Sequence, residues 1–154
     1  MNLIDAELRR TWLFGPGADT RAHTAMQDSG ADALIVDLED STPPGRRAEA
    51  RRALGGLLQR WREAGRIAAV RINALDADGA DDLAAAMPAR PHVVAYPMSS
   101  SAAQMRALDA ALTHWENTVG IGQGTTEILP VCETALGVGV ALGAQVGSQV
   151  FGTE

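Results

Sequence analysis

Six short apolar runs, each separated from the next by a stretch of helical periodicity, constrain this 154-residue chain more than any other feature. Trp12-Leu13-Phe14 ends at Gly15-Pro16-Gly17 and reads as a strand followed by a tight turn. Asp19 or Thr20 suits the cap of a helix through about Ser29, closed by Gly30. Ala31 to Asp37 is the second strand. Pro44 fits the first turn of the next helix, where Ala50, Leu54, Leu57, Leu58 and Trp61 recur at helical spacing until Gly65. Ile67 to Ile72 is the third strand, followed by a loop and a short helix near Asp81 to Met87. His92 to Tyr96 is the fourth. Ser99 to Ser101 cap a helix whose buried stripe is Met105, Leu108, Leu112 and Trp115. Ile128 to Cys132 is the fifth strand. Ala135 to Ala144 predicts a short, weak helix, because Gly137, Gly139 and Gly143 each cost helix stability. Gln149 to Gly152 begins a sixth strand.

Strict alternation of strand and helix predicts an α/β chain with a parallel sheet and right-handed crossovers. A doubly wound sheet and a (β/α)8 barrel both match this rhythm. A barrel needs eight units and typically about 250 residues, so the chain would hold a partial barrel of about six βα units. No repeat or interdomain linker is evident, and residues 1–154 read as a single domain. Hydrophobic content of 46% with 21% charged residues describes a globular protein. A net charge of -6 and a pI near 5.0 argue against a nucleic-acid or anionic-membrane surface. No apolar run is long enough to span a bilayer, and Met1 to Arg10 lacks the apolar core of a signal peptide. A cytoplasmic protein is the simplest reading. The lone Cys132 agrees, since no intramolecular disulfide is possible.

All thirteen basic residues are Arg. Schiff-base aldol chemistry, pyridoxal-phosphate catalysis and a Walker-type nucleotide site each need a lysine amine, which excludes them for this chain acting alone.

The second strand runs straight into acids, as Leu34-Ile35-Val36-Asp37-Leu38-Glu39-Asp40-Ser41. Such a run reads as a strand buried on both faces. Its carboxyl end is where α/β sheets and barrels place their chemistry. Taken together, the strand ends offer Asp37, Glu39 and Asp40 after the second, Arg71 after the third, Glu133 after the fifth and Glu154 after the sixth. Carboxylates with one Arg suit a hard divalent cation such as Mg²⁺ and an anionic substrate. Each acid also suits the cap of the helix behind its strand, and Arg71 a structural ion pair, so both readings stand at this point. His23, His92 and His114 have no partner at metal-ligand spacing. Cys132 reads as a small buried hydrophobe, and Gly120, Gly122 and Gly124 as a loop.

Several ordered motifs resemble one family. Trp12-Leu13-Phe14-Gly15-Pro16-Gly17, then Ser29-Gly30-Ala31-Asp32-Ala33 into Asp37-Leu38-Glu39-Asp40-Ser41, then Ala50-Arg51, resemble the start of citrate lyase beta-subunit-like proteins of the HpcH/HpaI aldolase/citrate lyase family. Val70-Arg71-Ile72-Asn73-Ala74 and Ile128-Leu129-Pro130-Val131-Cys132-Glu133-Thr134-Ala135-Leu136-Gly137 resemble its next two motifs in the same order. The resemblance implies the N-terminal portion of a metal-dependent TIM-barrel lyase. Such an enzyme makes or cleaves a carbon–carbon bond next to a CoA thioester or oxo acid. It further implies Glu133 as a Mg²⁺ ligand, Arg71 on the substrate's carboxylate or carbonyl oxygens, and Glu39 and Asp40 as catalytic-shell acids. The turn Gly15-Pro16-Gly17 would approach the cofactor or substrate phosphates, with Pro16, Gly17 and Glu133 counted with Arg71 among the substrate-binding residues. Similar proteins form trimers or hexamers, so a homo-oligomer is expected, with other lyase subunits as further partners and neither nucleic acid nor membrane. The rival expectation is a catalytically inactive, truncated homologue that acts as a binding or assembly subunit. A phosphoenolpyruvate-type enzyme on a similar barrel matches the motifs less well.

Overall fold

The computed structural model describes the backbone of residues 5–150 and the side chains of residues 5–142. Five strands alternate with five helices: β1 Trp12–Pro16, α1 Thr20–Asp28, β2 Ala33–Asp37, α2 Arg47–Glu63, β3 Ile67–Arg71, α3 Gly79–Ala86, β4 Val93–Tyr96, α4 Ala102–Val119, β5 Glu127–Pro130 and α5 Ala135–Val150. Short 3₁₀ turns lie at Ala6–Leu8, Pro44–Arg46 and Met87–Ala89. No helix among the described residues is long and apolar enough to cross a membrane.

The strands pair in parallel in the order β1-β2-β3-β4-β5, with no reversal. This order decides between the two architectures open to the sequence. A doubly wound sheet places its helices on both faces by reversing direction once. A chain that always steps the same way with one crossover hand keeps every helix on one face, as in a barrel. The residue parity agrees. Leu34, Val36 and Leu38 of the β2 segment, Ala68, Val70 and Ile72 around β3, and Val94 and Tyr96 of β4 share one buried cluster with Leu54, Leu58 and Trp61 of α2, Leu83 of α3 and Leu108 of α4. The alternate residues Ala33, Ile35, Ile67, Ala69 and Val93 form a second cluster on the opposite face, with Trp12 and Leu129 against it. The fold is α/β, five βα units of a partial (β/α)8 barrel.

Local signals set most boundaries. Asp19 caps α1, accepting from the amides of Arg21 and Ala22. Ser101 and Gln104 form a reciprocal capping box at the start of α4. Two expectations differ at the C-terminal end. Gln149 and Val150 continue α5 instead of opening a sixth strand, and the rest of that strand, with Glu154, lies outside the described residues. The helix after β5 runs 16 residues, longer than its glycines predict. At one of them a side chain is impossible: a Cβ on Gly137 would collide with the Ser99 carbonyl oxygen. The glycine is there for close approach between α5 and the loop after β4, a contact that offsets its poor helix propensity.

Candidate functional site

Register builds the centre of the site. Pro16 pairs with Asp37, Asp37 with Arg71 and Arg71 with Ala95, all at the carboxyl ends of their strands. By parity Asp37 and Arg71 share the inner face with Ile35 and Ala69. Arg71 Nε donates to Asp37 Oδ1 at 2.8 Å, and Nη2 donates to Oδ2 at 2.7 Å. This two-point fork matches the planar geometries of guanidinium and carboxylate. Asp37 is fully buried and also accepts the amides of Glu39 at 3.0 Å and Ser41 at 2.9 Å. Burial alone would push its carboxyl up. The Arg71 fork and the Ser41 and Glu39 donors outweigh that, and hold it below the ordinary carboxylate range. Arg71 in turn is raised, first by its bond to Asp37, and stays charged.

Three more acids surround the other side of the guanidinium. Glu39 Oε2 lies 3.3 Å from Arg71 Nη1, Asp40 Oδ2 3.4 Å from Nη2, and Glu133 Oε2 3.9 Å from Nη1. Beneath it sits the Phe14 ring, whose centroid is 5.1 Å from the guanidinium carbon. Glu39 Oε2 is buried and accepts no hydrogen bond. Burial, followed by the neighbouring charges of Asp40, Asp37 and Glu133, pushes the Glu39 carboxyl up, against the pull of Arg71. Glu133 is oriented through its other oxygen, which accepts the Met98 amide at 2.9 Å. One cation therefore faces four carboxylates at a single rim.

Arg71, Glu39, Asp40 and Glu133 are brought together from three strand ends. The capping alternative does not describe these acids: Asp40 reaches Arg71, Glu133 reaches the Met98 amide, and Thr134 Oγ1 takes the Gly137 amide at the start of α5. Pro16 and Gly17 sit at the same rim, but the Gly17 amide points inward. It donates to Thr42 Oγ1 at 2.7 Å and to the Asp37 carbonyl at 3.2 Å. That amide is spoken for, so any contact the turn makes with a bound molecule is one of close approach. A Cβ on Gly17 would press into Leu38, Ala50 and Thr42. His23 holds the turn from behind, with Nε2 donating to the Pro16 carbonyl at 2.7 Å.

In the sequence alone Asp37 is a strand-end acid without a visible partner, and Phe14 carries no visible role. Parity carried the signal for both: each has the inward phase of its strand.

Among the described residues, no three His, Cys, Asp or Glu side chains are grouped to hold a metal ion on their own. Mg²⁺ asks for less, since it keeps several waters and commonly takes one or two protein carboxylates. The Glu39 oxygen that accepts no hydrogen bond and the adjacent Glu133 fit that demand.

The model of the HpcH/HpaI aldolase/citrate lyase family matches residues 10–142. The citrate lyase subunit beta of Escherichia coli K12 is 32% identical, over 89% of this chain and 50% of the relative. A (3S)-malyl-CoA thioesterase of Cereibacter sphaeroides is 36% identical, over 64% of this chain and 35% of that protein. The chain spans about half the length of the citrate lyase relatives it matches. Among solved structures, the citrate lyase beta subunit from M. tuberculosis, complexed with oxaloacetate and magnesium, superposes with a TM-score of 0.62 at 27% identity. That match covers 88% of this chain and 53% of the other.

Proposed function

This chain belongs to the HpcH/HpaI aldolase/citrate lyase family, and on that premise we propose that its Arg71 rim serves a Mg²⁺-dependent carbon–carbon lyase acting on a CoA thioester or related oxo acid. One observation carries the reading: among the described residues one guanidinium faces four carboxylates, one of which has a buried oxygen that accepts no hydrogen bond. The formal surplus of negative charge repels an anionic substrate unless a second cation joins Arg71. The magnesium and oxaloacetate in the M. tuberculosis citrate lyase beta complex match that demand.

In this reading Glu133 holds the metal, with Glu39 beside it. When bound, Mg²⁺ supplies positive charge that polarises a substrate oxygen. The remaining work falls to the chain. Asp37 takes Nε and Nη2 of Arg71, so Nη1, which faces Glu39 and Glu133 as ion-pair neighbours, is the arm that turns to a carboxylate or carbonyl oxygen of the substrate. Asp40, exposed at the rim, orients incoming water or the outer edge of the substrate. Pro16 and Gly17 form a rigid wall against which the substrate lies. With no lysine among these 154 residues, Arg71 is the cation that the chain itself offers to charge developing next to the carbonyl.

The test is turnover of a panel of acyl-CoA esters with and without Mg²⁺. Cleavage should require the metal and fall at least a hundredfold in Glu133→Ala. Equal activity of that variant overturns the assignment. A second reading is a non-catalytic binding or assembly subunit, in a homo-oligomer or with other lyase subunits. It is favoured by Leu136, Val138, Val140 and Leu142 on α5, which are exposed by 45–66%. It predicts oxo-acid binding with no turnover of any ester in the panel.

A further inference from the structure

A row of buried polar groups leaves the rim and ends among the outer helices. Arg51, on α2, donates Nε–H to Asp82 Oδ1 of α3 at 2.7 Å. Asp82 is fully buried. Its second oxygen accepts both the backbone amide of Asn73 at 2.8 Å and the Asn73 Nδ2 at 2.7 Å. Asn73 Nδ2 also donates to the Leu38 carbonyl at 3.0 Å. Both of its partners are acceptors only, so the orientation of the Asn73 amide is forced. The Leu38 C=O and the Glu39 N–H belong to one planar peptide unit. That Glu39 amide donates to Asp37 Oδ1 at 3.0 Å, the same oxygen that takes Arg71 Nε–H. The row thus reads Arg51, Asp82, Asn73, the Leu38–Glu39 peptide, Asp37, Arg71. Arg47 supports the same bend, with a long contact of 3.5 Å to the Glu39 carbonyl and a firmer one of 2.9 Å to Asp78.

A buried carboxylate is costly unless fully paired, and apolar side chains at positions 51 and 82 would seal the helix layer as well. What an apolar pair cannot do is hold the Leu38–Glu39 peptide plane. We infer that Asp82 and Asn73 are positioning residues, which set the orientation of Arg71 through that peptide and Asp37. Neither bonds to Arg71 itself. The inference rests on the reading of Arg71 as the substrate-holding cation, and deepens it by naming what aims Nη1. Hydrogen-bonded groups in a low-dielectric interior polarise one another, so a break at Asp82 is felt at the far end.

The experiment uses the full chain and nuclear magnetic resonance of the Arg71 Nε–H and the Glu39 backbone amide. Asp82→Asn puts a donor against a donor at Arg51 or at Asn73. The expected result is an upfield shift of both signals and at least tenfold faster exchange of Arg71 Nε–H with water. The double variant R51Q/D82N restores a donor–acceptor pair and should restore both signals. Glu116→Gln is the control. Glu116 is buried and holds the Gly124 and Thr126 amides away from the rim, so its loss lowers Tm without moving the Arg71 signal. If Asp82→Asn does not fold, Asn73→Ala removes only the Nδ2 donors and should give the same two shifts. Asp82→Asn or Asn73→Ala variants that lose stability as Glu116→Gln does, with Arg71 Nε–H and Glu39 unmoved, overturn the inference. Oxaloacetate titration with Mg²⁺ is the second readout, with affinity about tenfold weaker in Asp82→Asn. A wild-type chain that binds no oxaloacetate counts against the lyase reading alone, because the resonance readout does not depend on it.

Discussion

Asp37→Asn tests whether the Arg71 fork is a main support of the rim. The substitution keeps shape but removes the charge, and turns one oxygen into a donor that faces Arg71 Nε or Nη2. Breaking one side of a buried ion pair costs about 3–5 kcal/mol, because the partner charge is left uncompensated. Here Glu39, Asp40 and Glu133 remain near Arg71 and soften that loss, which places the expectation at the low end, about 3 kcal/mol. Urea unfolding followed by the fluorescence of the fully buried Trp61 is the assay. With a slope of about 2 kcal/mol per molar, the midpoint should fall by about 1.5 M. The pH dependence adds a check of sign. Asp37 is depressed in the folded state, so the unfolded chain binds more protons in the window below the ordinary aspartate range, and stability there rises with pH. Its contribution is present above that range and lost as pH falls through the folded value. The gap between wild type and variant should therefore be full at neutral pH and shrink in acid. A midpoint change below about 0.5 M at pH 7, or a gap that widens in acid, refutes the reasoning.

Glu39 predicts the opposite sign. Its carboxyl is raised, mainly by burial, so its contribution is present below the ordinary glutamate range and lost as pH rises through the raised value. Glu39→Gln should raise stability at neutral pH by about 1 kcal/mol, read as a higher Tm, while weakening Mg²⁺ binding in calorimetry. Thr42→Val removes the hydroxyl that donates to the Asp37 carbonyl at 2.6 Å and accepts the Gly17 amide, at a cost of about 2 kcal/mol in chemical unfolding. Gly17→Ala forces a Cβ against Leu38, Ala50 and Thr42 and should cost a similar amount, about 2 kcal/mol, or roughly 5 °C in Tm. Phe14→Leu removes the ring beneath Arg71 and should cost about 0.5–1 kcal/mol beyond lost packing, measured in a double-mutant cycle with Arg71→Met.

Much of this protein is written locally. The βα rhythm is legible because strand and helix periods differ, and because Gly30, Gly65 and Gly120 stop helices by adopting positive φ. The strand-end acids and Arg71 are legible for the same reason, since a charge breaking an apolar run marks where a strand meets the rim. The end of the chain is ambiguous locally, because its glycines and small apolar residues carry no period, and Gln149 and Val150 suit a strand as well as the helix they continue. Strand order, and with it the choice of barrel over doubly wound sheet, lies in no single segment, because it depends on which strand each crossover lands beside. So does the Asp37–Arg71 fork, which exists only when residues 34 positions apart are brought into register. The inward turn of the Gly17 amide and the path from Asp82 to Arg71 are likewise products of packing. Residue types and their phase are properties of the chain; the direction of a hydrogen bond between distant segments is decided only when the strands come into register and each buried donor must find an acceptor.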